Sequence, residues 1–240
     1  MYDNNSYDRA PSEIGARSFA QIQASFINKV FGWMTLGLAI TGIISVVLAT
    51  QYGDAVLKYR GLYPVLLIAE VLLVLGLSFL INKINSAVAF IGFIAFAVLN
   101  GITLSWIFFV YTPQSIAATF FTTSGTFGAM GLYGYMTKRD LTTVGNLCFM
   151  GLFGIIIASI VNMFFYNYTA NLIISIIGVI IFVGLVAYDT QKIKQLSLAV
   201  ADGQLSEEEG KKGAIIGALT LYLDFINLFL YILRLFGNRK

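Results

Sequence analysis

Three observations predict an all-α integral membrane protein, a seven-helix bundle with its last helix at the centre. There is too little charge to cover a soluble surface. Apolar runs of membrane-spanning length follow one another with short connections. Basic residues gather on alternate connections. Of the 240 residues, 58% are hydrophobic and 11% charged, and the mean hydropathy is +0.82. A soluble domain carries roughly 25% charged residues, so this surface has to face lipid. The net charge of +3 gives no reason to expect a nucleic-acid partner.

Residues 1–24 are polar and mixed in charge, without the basic start and apolar core of a signal peptide. They read as a disordered cytoplasmic tail, ahead of a transmembrane domain over 25–240. Apolar runs follow at 28–50, 62–82, 86–110, 115–136, 143–165, 171–190 and 213–236. At 1.5 Å per residue, the first six each cross about 30 Å of hydrocarbon. The stretch from Gln191 to Lys212 is the one long polar connection. Lys138–Arg139–Asp140 and Glu207–Lys212 read as solvated loops. Gly125, Gly128, Gly131 and Gly134 read as a close helix contact, and nothing near them resembles a phosphate loop.

With the N-terminus in the cytoplasm, the inner side receives Arg9, Arg17, Lys29, Lys83, Lys138, Arg139, Lys192, Lys194, Lys211 and Lys212. The outer loops receive Lys58 and Arg60 only, as the positive-inside rule requires. Arg239 and Lys240 break the pattern if the last run crosses fully. Either that run is re-entrant, or the outer side tolerates two terminal charges.

Membrane depth makes few charged residues expensive: Glu70 in the second run, Asp189 ending the sixth, and Asp224 and Arg234 in the last. A charge at the bilayer centre costs about 3 kcal/mol or more, so such groups face the bundle interior and find partners. In the last run Gly213, Gly217, Thr220, Asp224, Asn227, Tyr231 and Arg234 recur at spacings of four and three. They share one helical stripe. Small and polar residues in an apolar surround pack on other helices, which puts this helix at the bundle centre. The stripe serves either as packing glue or as a functional lining, and an aspartate is costly glue. Asp189 is either a solvated residue at a helix end or the partner of Asp224. Two carboxylates in contact cannot both ionise cheaply and can share a proton. That would give a chain without histidine a proton switch. Glu70 reads as a protonated core residue, an ion-path residue or a partner of Arg234.

With no histidine and one cysteine, Cys148, a His/Cys metal cluster and a histidine-dependent serine triad are excluded. The chain is not expected to be an enzyme. The rival from that class is an intramembrane aspartyl protease, which Tyr188–Asp189 resembles. Its second aspartate should sit in Gly-x-Gly-Asp, whereas Asp224 follows Leu221–Tyr222–Leu223.

Two segments, VAYDTQKIK at 186–194 and ALTLYLDFINLFLYILRLFG at 218–237, resemble the signature of the Bax inhibitor family. NGITLSWIF at 100–108 resembles the family's third span, and FGWMTLGLAITG at 31–42 resembles the first span of its bacterial members. The resemblance implies seven helices, with six wrapped around the last, in the cell inner membrane. It implies a pH-gated calcium leak in which an aspartate pair, here Asp189 and Asp224, is sensor and gate. Those two would hold calcium transiently. Glu70, Asn227 and Arg234 would line or support the path. Calcium enters as permeant ion, with no tightly bound cofactor, and the lipid bilayer and other membrane proteins are the remaining partners expected. A regulator binding a membrane protease is the alternative role. One departure stands out: relatives that latch the sensor with an arginine carry it where this chain reads LINKIN, with Asn82 and Lys83. Lysine makes no bidentate contact with carboxylate, so an arginine-type latch is not expected.

Overall fold

The computed structural model describes residues 9–165 and 167–240, with side chains from residue 18 onward. Every long element among them is a helix. The chain runs α1 (Arg9–Gln51), α2 (Gly53–Lys58), α3 (Tyr63–Leu80), α4 (Ser86–Leu104), α5 (Ile107–Val110), α6 (Pro113–Met136), α7 (Thr142–Phe164), α8 (Tyr168–Ala201) and α9 (Glu207–Phe236). Residues 1–8 of the expected tail lie outside the described residues, and the chain is helical from Arg9.

Six stretches are long and apolar enough to cross a membrane: Ser18–Gln51, Arg60–Leu80, Ser86–Val110, Thr142–Phe164, Tyr168–Ala201 and Glu207–Phe236. Between them, α6 has the length, at 24 residues, but it is diluted by Thr, Ser and Gly. Turn chemistry sets the boundaries. Thr112, Asn85 and Asn167 accept from backbone N–H groups at the starts of α6, α4 and α8, and Pro113 occupies the first turn of α6.

The polar segment Gln191–Lys212 differs from the sequence expectation. Only 202–206 is non-helical, because α8 continues through TQKIKQ to Ala201. Glu207–Lys212 is not a loop but the opening of α9. Ser206 and Glu209 form a capping box there, with Ser206 N donating to Glu209 Oε2 at 2.8 Å. Lys211 pairs with Glu207 at 2.7 Å on the solvated face, a geometry that contributes little to stability.

Helix α9 packs against α8, α1, α6 and α4. Its N-terminal end is tied to the start of α4, where Glu208 accepts from Ser86 N and Ser86 Oγ at 2.6 and 2.9 Å. Its C-terminal end reaches the α5–α6 junction, beyond the far end of that helix. There Thr112 N donates to Asn238 O and Lys240 N to Val110 O, both at 3.0 Å. The last run is therefore one unbroken helix parallel to α4, about 45 Å long at 1.5 Å per residue, and not a re-entrant segment. Its burial extends beyond the small and polar stripe. Leu221, Tyr222, Phe225, Ile226, Leu228, Phe229 and Leu233 on the other faces are buried too.

Some contacts need glycine. A Cβ at Gly134 would enter the Ala187 carbonyl of α8, and one at Gly101 would stand 3.0 Å from the Thr41 carbonyl oxygen of α1. The close contact expected of the Gly125–Gly134 series holds at Gly131 and Gly134, while Gly125 and Gly128 face open space.

Candidate ion-gating site

Helix α8 carries Asp189 in its interior, about three turns before its end at Ala201, and α9 carries Asp224 near its middle. Both are buried, at 5% and 4% exposure, so Asp189 is not a solvated helix terminus. The two carboxyl groups are neighbours across the α8–α9 contact. Carboxylates only accept, so the two can bond to each other only with a proton between them. Asp224 Oδ2 has no hydrogen-bond partner among the described residues. The pair is poor in donors. The charged or titratable groups near it are Lys192 on α8 and the buried Cys148 of α7.

A groove of about 130 Å³ leads to Asp189 from the α9 N-terminal end, between Lys192, Ile193 and Leu196 of α8 and Gly213, Gly217 and Thr220 of α9. Three of the seven residues of the predicted stripe thus line an opening rather than a sealed contact. Toward the other end, Phe182, Leu185, Leu228 and Ile232 close over the pair in an apolar cluster, with Tyr231 packed against it. Tyr231 stacks on Phe182 at 5.7 Å.

The remaining predicted residues are not gathered at the pair. Asn227, one turn beyond Asp224, donates to its own helix at Leu223 O, 2.8 Å away. Arg234 is exposed and lies over the Tyr231 ring at 5.4 Å. It is not the partner of Glu70. Glu70 instead accepts from Thr103 Oγ1 at 2.7 Å and Asn100 Nδ2 at 3.3 Å, both on α4. Tyr222 of α9 extends this centre, donating to Asn100 Oδ1 at 3.1 Å and meeting Thr41 Oγ1 of α1 at 2.7 Å. Sequence reasoning missed Asn100, Thr103, Thr41 and Tyr222. The three-residue spacing of Asn100 and Thr103 puts them on one face of α4, a signal present in NGITL.

Gln191 was missed as well. It accepts from Leu141 N at 2.9 Å and donates to Arg139 O at 2.8 Å, so it fixes the α6–α7 turn to α8 two residues beyond Asp189. In that turn Asp140 accepts from both the N–H and the hydroxyl of Thr142, which holds its carboxyl below the usual carboxylate range. Asn82 and Lys83 lie exposed in the turn between α3 and α4. Among the described residues the single ion pair is Lys211–Glu207, so Lys83 latches no carboxylate. No cluster of three or more Cys, Asp or Glu side chains occurs among them either. Two carboxylates fall far short of the six to eight oxygens of a resident calcium site.

The model of the family described as "Inhibitor of apoptosis-promoting Bax1" matches residues 23–240. The chain belongs to the Bax inhibitor family. Among relatives, it is 44% identical to the inner membrane protein YbhL of Escherichia coli over 98% of this chain and 99% of that one. It is 43% identical to a protein of Borreliella burgdorferi, over 91% and 94% of the two chains. For a protein of Rickettsia prowazekii the figures are 40%, over 93% and 94%. The match spans every helix from α3 to α9 and most of α1, so the aspartate pair and the Glu70 centre both lie within the family region.

Proposed function

We propose that this Bax inhibitor family member is a pH-sensitive calcium leak of the inner membrane, gated by Asp189 and Asp224. In this reading α6 makes a seventh crossing beside the six more apolar helices, α9 is the centre of the bundle, and the N-terminus is cytoplasmic. Lys83, Lys138, Arg139, Lys192, Lys194, Lys211 and Lys212, all toward one side, support that orientation. The single observation that carries the proposal is the pair itself: two buried carboxyl groups from neighbouring helices, with no donor of their own and a groove at their side.

The steps follow from charge. A shared proton holds the two carboxyl groups together and keeps α8 on α9. Loss of that proton leaves like charges at contact distance, which repel. The helices then part at the apolar cluster above, and a hard, oxygen-seeking cation replaces the proton between the carboxylates. Calcium binds there in passing. Asn227 and Arg234 continue the stripe outward, and Glu70 supports the α3–α4–α9 contact that stays fixed. An aspartyl protease would also use two buried carboxyls, but the residues before Asp224 lack the glycine turn of that class, and the leak reading requires no hydrolysis.

Purified protein in liposomes tests the reading. Calcium efflux should exceed that of protein-free liposomes and rise as the pH is raised from about 6 to about 8, as like charges replace the shared proton. Efflux equal to that of empty liposomes across this range would sink the proposal.

A further inference from the structure

Helices α1 and α6 both pack on α8, and they diverge above it to leave a crevice of about 350 Å³. Ile27 and Phe31 of α1 form one wall, Phe127 and Leu132 of α6 the other, and Thr190 of α8 the floor. The crevice exists because α6 is bare where it passes. A Cβ at Gly128 would meet nothing within 4 Å, and one at Gly131 would stand 3.6 Å from Thr190 Oγ1. The volume is that of a small-ligand site, about 300–1,000 Å³. Its walls are apolar and it opens sideways between two helices of a membrane protein.

One polar group stands at its mouth, since the Thr190 hydroxyl is buried and presents no surface to the crevice. One turn further along α8, at the mouth, Lys194 donates to Tyr135 O at 2.7 Å and sits 5.1 Å from the Tyr135 ring centre. That bond caps an orphan carbonyl of the last turn of α6 and leaves two ammonium donors free. Thr190 and Lys194 are four residues apart on one face of α8, about 6 Å from each other. Lys138 and Arg139 follow Tyr135 on the same side.

We propose that this crevice is a phospholipid site. It takes one acyl chain of an anionic diacyl lipid from the leaflet beside the α6–α7 turn. The headgroup phosphate of that lipid lies on Lys194. An apolar chain fits the apolar walls, and an anionic headgroup fits the cation at the mouth.

The test is native mass spectrometry of the full chain extracted from nanodiscs of equal phosphatidylglycerol and phosphatidylcholine. Wild type should retain one lipid, preferring phosphatidylglycerol about tenfold, the size of one charge-assisted hydrogen bond. Gly128→Leu fills the crevice without a clash and should lose the retained lipid. Gly125→Leu, on the same helix, open, and away from the crevice, should keep it. Lys194→Gln should bind both lipids alike. The proposal is overturned if Gly128→Leu retains as much lipid as wild type, or if Lys194→Gln keeps the wild-type preference. It is overturned too if wild type sheds all lipid but forms a dimer that Gly128→Leu abolishes, since the crevice would then hold a second copy.

Discussion

The bundle buries two carboxyl centres, and they are built in opposite ways. Glu70 is met by donors, the hydroxyl of Thr103 and the amide of Asn100, with Tyr222 and Thr41 behind them. The Asp189–Asp224 pair lacks such donors, and Asp224 Oδ2 is unpartnered among the described residues. Donors fix a carboxyl group in place and satisfy it without a mobile ion. A pair of acceptors is satisfied only by something that comes and goes, a proton or a cation. In the proposed mechanism the donor-rich centre is the fixed part of the molecule, and the donor-poor one is the part that changes state. Both touch α9, Tyr222 on one face and Asp224 on another.

Substitutions at the two centres should separate them. The largest effect is expected from Glu70→Leu, which strands the Asn100 amide and should lower stability by about 1–3 kcal/mol. The readout is thermal unfolding in detergent. Tyr222→Phe should follow at about 1 kcal/mol, since it leaves Asn100 Oδ1 without its donor while Thr41 keeps the Ala97 carbonyl. The smallest effect should have the other sign. Asp224→Asn supplies the N–H that Asp189 lacks, and should be neutral or stabilising by up to about 1 kcal/mol. If Glu70→Leu and Asp224→Asn lower the melting temperature alike, the contrast between the two centres is lost.

The apolar runs marked the long helices because crossing a bilayer and burial both select apolar residues over about 20 positions. They did not mark helix ends. The run at 171–190 stops at Asp189, where the lipid-compatible sequence stops, but backbone hydrogen bonding continues to Ala201. Hydropathy reports partition between lipid and water, whereas a helix continues into water when caps and tertiary contacts hold it. Here Gln191 and Lys194 hold it against α6 and the α6–α7 turn. Asp189 and Asp224 were legible one by one, as charges too costly to leave without a purpose. The Glu70 centre was not. Whether Glu70 met Arg234 or Asn100 depended on which helices lie side by side, and α3 packs on α4. The stripe on α9 was legible as a stripe, but the equal burial of Ile226 and Leu228 on other faces was not. A small-residue stripe indicates close approach and does not count the neighbours.

The central claim is that the donor-poor pair is what protons act on, and calcium efflux from liposomes against pH measures it most directly. Asp189→Asn and Asp224→Asn should each flatten the rise in efflux between about pH 6 and about pH 8, because each removes one of the two like charges that part the helices. The double variant should be no flatter than the worse single one, since residues acting as a unit are not additive. Wild-type midpoint and amplitude in both single variants would contradict the account and leave Glu70 as the remaining deep carboxyl to examine.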